Sequence, residues 1–208
     1  MKKLITIFVL LASLSGFAQS ERYVAAMQKN LALFDSSKTT ADYQALSAAF
    51  ERIGDAEKTQ WLPYYYAGLA LATAGWADTK LDKDANATKI KALADKADAI
   101  AKSSEMFEIR NMAATQQMMV DPQNRYMSYG QEAGTALAKG IEVNPNNPRL
   151  HYLQGMSVFN TPEAFGGGKA KAKPVFEKAV SLFKTEEVKP LYPKWGQKQA
   201  EEMLAQCQ

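Results

Sequence analysis

Apolar positions recur three or four residues apart along this chain and nowhere alternate every second residue for any length, so the pattern predicts helices and no sheet. Tyr23, Ala26, Met27, Leu31 and Phe34 mark a first helix over about 21–34, and Leu46, Phe50 and Ile53 a second over about 40–54. Trp61 to Tyr66 opens a third, with Pro63 in the first turn, where a missing N–H is harmless, and Gly75 at its end. The polar stretch 76–88 reads as a loop. Further helices are predicted over about 88–102, 104–119, 126–142, 148–160, 169–184 and 194–206.

Within this pattern one spacing repeats. Ala133, Leu137 and Gly140 are followed by Pro145, and 39 residues later Ala172, Phe176 and Ala179 carry the same offsets. Leu46, Phe50 and Ile53 form a bulkier version near the start. Small residues at such points let the two helices of a hairpin touch, and the large residue between them fills the gap to the next hairpin. Together with Gly68 and Gly155, these residues resemble the signature of the tetratricopeptide repeat. The third and fourth hairpins depart from it by insertions around 121–126 and 160–169, and Gln154 stands where that family prefers leucine. The resemblance implies an all-α fold: a right-handed α-solenoid of about four hairpins plus a C-terminal capping helix, with a concave groove lined by the first helix of each hairpin. Stability would then be roughly a sum of neighbouring interfaces.

Composition places the chain among globular proteins: 47% of its 208 residues are hydrophobic and 23% charged. Lys2 and Lys3, the apolar run from Leu4 to Leu14 and the small residues before Gln19 read as an export signal over residues 1–18, leaving 19–208 as a single domain. The run is too short to span a bilayer, which takes about 20 apolar residues, and no cysteine follows it for a lipid anchor. A periplasmic or secreted protein is expected. Without the signal the net charge falls from +3 to about +1, so charge gives no argument for nucleic acid. Cys207 is the lone cysteine and excludes an intrachain disulfide; it reads as an exposed thiol or a candidate intermolecular bridge.

Candidate chemistry is sparse. Asp82, Asp84 and Asn86 copy the opening of a calcium loop, yet Ala87 and Leu93 stand where glycine and glutamate are required, so a capping turn is expected instead. Gly166 to Lys169 lacks the preceding strand and following hydroxyl of a phosphate loop. His151 is the sole histidine and has no obvious nucleophile to serve. The methionines suit a soft core or an adaptable binding face. The expectation is therefore a non-enzymatic scaffold with no cofactor and no metal, whose groove binds a peptide or partner protein. Aligning the hairpins on Gly68, Asn111 and Gly155 places Tyr65, Glu105, Glu108, Gln116, Arg149, Tyr152, Met156 and Asn160 on the concave side as partner-binding candidates. Tyr65, Arg149 and Tyr152 are the foremost, because such side chains combine large buried area with directional polar atoms. The alternative is a small-molecule or glycan-binding component of an exported uptake or envelope system, with Tyr64, Tyr65 and Tyr66 as stacking platforms. An enclosed aromatic pocket would favour that alternative; an open groove would favour a peptide.

Overall fold

The computed structural model describes residues 21–208, and the expected export signal lies outside them. These residues form an all-helical, solenoid-like stack in which each helix packs against the next. Helix α1 covers 21–36. It is followed by α2 (Thr40–Glu57), α3 (Leu62–Ala77), α4 (Lys83–Ile100), α5 (Glu105–Val120), α6 (Pro122–Arg125) and α7 (Gln131–Val143). The chain closes with α8 (Pro148–Asn160), α9 (Lys169–Thr185) and α10 (Gln197–Gln206).

Local chemistry sets the helix starts. Thr39 and Asp42 cap α2 reciprocally, each side chain bonding the other's backbone N–H. Asp82 accepts from the Ala85 N–H and starts α4 at Lys83, five residues earlier than the polar stretch 76–88 predicts. Asn147 accepts from the N–H groups of Arg149 and Leu150 ahead of Pro148, which opens α8 without wasting a donor. Between α5 and α7 the insertion forms the short α6 and then a π-helical turn, Tyr126–Gly130, that leads directly into α7.

The repeat spacing matches the packing. Ala133, Leu137, Gly140, Ala172, Phe176 and Ala179 are all buried. A methyl group on Gly155 would lie 2.5 Å from the Phe176 ring, and one on Gly68 would lie 2.7 Å from Ile109. Only a hydrogen at these two sites lets the neighbouring helix come so close.

Helix α3 is the hub. Every residue from Leu62 to Ala72 is buried, so it is apolar all round and needs cover on each side. Helices α2, α4 and α5 supply three sides. The fourth side is covered by the connector between α9 and α10, residues 186–196, through Leu191, Tyr192 and Trp195. We call this segment the strap. Beyond it, α10 doubles back onto α9, with Ala200 against Ala179, Val180 and Phe183. Cys207 packs with Ala172 and Phe176 and is only 9% exposed, which corrects the expectation of a solvent-exposed thiol: the return of α10 turns its last residues inward. The methionines divide, with Met106 and Met112 in the core and Met119 and Met127 exposed beside the inserted turn.

Candidate functional site

The inner face of the stack carries a buried polar network built from three of the first helices of the hairpins. Tyr65 on α3 donates from its hydroxyl to Glu108 Oε2 on α5 (2.6 Å) and accepts from Trp195 Nε1 on the strap (2.9 Å). Asn147, the cap of α8, donates to Glu108 Oε1 at 2.8 Å and to Ser104 Oγ at 2.9 Å. Arg149, the second residue of α8, grips the Glu186 carboxylate in bidentate fashion, at 2.6 and 3.0 Å, and also donates to the Pro193 carbonyl. Tyr66 donates to the Leu191 carbonyl at 2.8 Å.

Burial dominates the electrostatics here. Glu108 is wholly buried, and desolvation pushes its carboxyl up to about 8 although the Arg149 charge and the bonds from Tyr65 and Asn147 pull the other way. The Tyr65 hydroxyl is raised as well, first by burial and then by the neighbouring Glu108. Burial thus works against charge on both groups, while Arg149 is paired with the Glu186 carboxylate. A bidentate arginine–carboxylate pair of this kind is the strong, geometrically specific form of ion pair.

Aromatic rings surround the network. Trp61 meets Tyr192 edge-on at 5.5 Å and Tyr65 at 6.2 Å, and Trp195 meets Tyr152 at 6.3 Å. The Arg149 guanidinium lies 5.9 Å from the Trp195 ring and 5.5 Å from that of Phe183. Strap rings thus fill the aromatic inner face.

Of the candidates read from the sequence, Tyr65, Glu108 and Arg149 come together in this network, and Tyr152 stands beside it against Trp195 and Phe176. Glu105 is half-buried and lines a cleft of about 530 Å³ between the α7–α8 turn and the strap, which Arg149, Glu186 and Tyr192 also line. Gln116 is elsewhere: it is 1% exposed between α5 and α3 and donates to the Ala72 carbonyl at 2.7 Å. Met156 packs in the cluster of Phe176 and Cys207. Asn160 is exposed and bonds only its own helix, at the Met156 carbonyl. Sequence reasoning missed the strap residues Glu186, Tyr192 and Trp195.

A second cleft, of about 650 Å³, lies on the opposite side between α2 and α4, with Ala48, Leu71, Ala92 and Leu93 among its walls and Lys89 and Lys96 at its edge. His151 is 2% exposed, with Nε2 2.8 Å from the Pro145 carbonyl. Of the calcium-like residues, Asp82 caps α4, Asp84 pairs with Arg125 at 2.9 Å, and Asn86 donates to the Leu71 carbonyl. Gly166 and Gly168 adopt positive φ in a turn closed by bonds back to Glu163 and Val158. Among the described residues no cluster of histidine, cysteine and carboxylate side chains suited to a metal ion occurs, and no helix is long and apolar enough to cross a membrane.

These features define an all-helical stacked-hairpin protein whose strap packs against α3, an architecture compatible with the tetratricopeptide-like resemblance. The chain belongs to the same family as the HusA haemophore from Porphyromonas gingivalis. It is 34% identical to that protein and superposes with a TM-score of 0.82 over 89% of this chain and 92% of the other. No protein-family model and no curated protein sequence matches it.

Proposed function

We propose that this chain is a non-enzymatic binding protein that captures a flat tetrapyrrole, haem or a related porphyrin, after export from the cell. The observation that carries the proposal is kinship along nearly the whole length with a haemophore, at 34% identity. The chemistry of the inner face supports it. A tetrapyrrole offers a broad aromatic plate and carboxylate side chains, and this face gathers Trp61, Tyr65 and Tyr152 around one arginine. Rings of this type combine large contact area with few rotatable bonds. His151 is buried and bonded to Pro145, so the reading rests on the aromatic rings and on Arg149 and not on that imidazole.

The test is an absorbance titration of the purified mature chain with haemin and, separately, with metal-free protoporphyrin IX. A saturable one-to-one shift of the porphyrin band with both compounds is the expected result. Its absence with both rejects the proposal. A peptide partner, the reading implied by the repeat resemblance, has one observation in its favour: the inner groove already accommodates an extended segment, the chain's own strap. Retention of a defined peptide by the chain, with no spectral response to either porphyrin, would select that reading.

A further inference from the structure

The strap presents to the inner face the two chemistries a carboxylated porphyrin would present. Its carboxylate, Glu186, occupies both arms of the Arg149 guanidinium at 2.6 and 3.0 Å. Its rings, Tyr192 and Trp195, cover Trp61 and Tyr65, with Trp61 meeting Tyr192 at 5.5 Å and Trp195 bonded to Tyr65 at 2.9 Å. The segment between them has no helical hydrogen bonding of its own. Leu191 is held at a φ of 67°, a left-handed conformation that a branched side chain adopts only under constraint, and the Tyr66 bond to its carbonyl is part of that constraint. The cleft of about 530 Å³ is lined by Arg149, Glu186 and Tyr192 together with Glu105, Glu187 and Lys189, and Arg149 is only 2% exposed there, so a ligand carboxylate reaches the arginine only as Glu186 moves aside.

We propose that the strap is a resident substitute for the ligand: the inner face beneath it is the tetrapyrrole site, with Arg149 receiving a ligand carboxylate in place of Glu186 and the macrocycle replacing Tyr192 and Trp195 against Trp61 and Tyr65. The inference rests on the tetrapyrrole reading above and adds the place and the route of binding. Entry follows from the geometry. A ligand carboxylate approaches through the cleft and exchanges with Glu186, the strap swings away from α3 while α9 and α10 remain paired, and the plate slides over the exposed rings. Such an exchange swaps one charged hydrogen-bonded pair for another and one aromatic cover for another. The buried arginine is never left without a counter-charge, which is the costly state for a group so enclosed. Release is the reverse, with the strap competing for its own site.

Hydroxyl-radical footprinting of the mature chain, read by mass spectrometry with and without saturating metal-free protoporphyrin IX, tests this. The Tyr192 and Trp195 side chains are expected to become about threefold or more reactive in the complex, while Trp61 and Tyr65 are unchanged or better protected. Unchanged or reduced reactivity of Tyr192 and Trp195 overturns the proposal. Two variants provide independent readings. Glu186→Gln weakens the resident pair and is expected to tighten porphyrin binding about tenfold; equal or weaker binding counts against the exchange. Ala92→Trp obstructs the α2–α4 cleft, where Ala92 is exposed, and is expected to leave affinity unchanged; loss of binding places the ligand there and overturns the assignment. Failure of the tetrapyrrole reading itself looks different, since no porphyrin band shift is then seen with any of the chains.

Discussion

Replacing Glu108 by glutamine isolates the energetic consequence of burying an acid at the centre of the inner face. The wild-type carboxyl stands at about 8 in the fold because burial disfavours its charge, against an ordinary value of 4.5. Between those two pH values the folded chain therefore holds a proton that the unfolded chain has released. Stability supplied by this group is complete below the ordinary value, and it is lost as pH rises towards 8. At roughly 1.4 kcal/mol per pH unit the ceiling is on the order of 4 to 5 kcal/mol, and local relaxation and water entry around the charged form should reduce it to about 2 to 3. For a domain of this size that is a melting temperature roughly 5 to 10 °C lower at pH 8.5 than at pH 5, since about 1 kcal/mol moves the midpoint by roughly 2 to 4 °C. Glutamine has similar shape, keeps one acceptor for Tyr65 or Asn147 and cannot ionise. Thermal melts of both chains, followed by circular dichroism at half-unit pH steps, give the difference directly, because other titrating groups are common to the two. The wild-type curve should fall relative to Glu108→Gln between pH 5 and 8.5. Parallel curves would refute the reasoning that Glu108 is held neutral by burial.

Other expectations follow from the same geometry. Tyr65→Phe leaves the Trp195 indole N–H and one Glu108 oxygen without their mutual partner, and should lower stability by about 1 to 3 kcal/mol in denaturant melts. Gly155→Ala should destabilise by about 1 to 3 kcal/mol, because the new methyl would lie 2.5 Å from the Phe176 ring; Gly134→Ala, with nothing within 4 Å, should be neutral or stabilising by roughly 0.5 to 1 kcal/mol. Phe176→Ala, which empties the centre of the last hairpin, should cost about 3 to 5 kcal/mol. His151→Ala should leave the spectrum of bound haemin unchanged, as the ring is only 2% exposed and its Nε2 faces the Pro145 carbonyl.

How much of this was legible in the sequence depended on the range of the interactions involved. Helices and their pairing are set by periodicity and by small residues at fixed offsets, so Ala133, Gly140, Ala172 and Phe176 announced the hairpins. Tyr65, Glu108 and Tyr152 stand three residues before Gly68, Asn111 and Gly155, and Arg149 lies one helical step earlier than Tyr152, so the repeat register brings them to one face. The strap has no such signature. Trp195 meets Tyr65 across 130 residues of chain, and nothing periodic in 186–196 marks that meeting. One signal did exist: α3 is apolar on every side, including the side a solenoid leaves open, so an inner cover was required. Gln116 and Met156 share the helical register of the groove residues, but their side chains point between helices, a rotation of less than one turn that spacing alone does not resolve. Cys207 was misread for a similar reason, since its burial depends on the direction in which α10 returns to α9.

A structure of the mature chain with metal-free protoporphyrin IX bound is the most direct measurement of where and how this protein holds its ligand. The expected result is a macrocycle against Trp61 and Tyr65, one of its carboxylates on the Arg149 guanidinium, and the 186–196 segment lifted from α3. A macrocycle seated in the α2–α4 cleft, with Trp195 still bonded to Tyr65 and Glu186 still on Arg149, would contradict it.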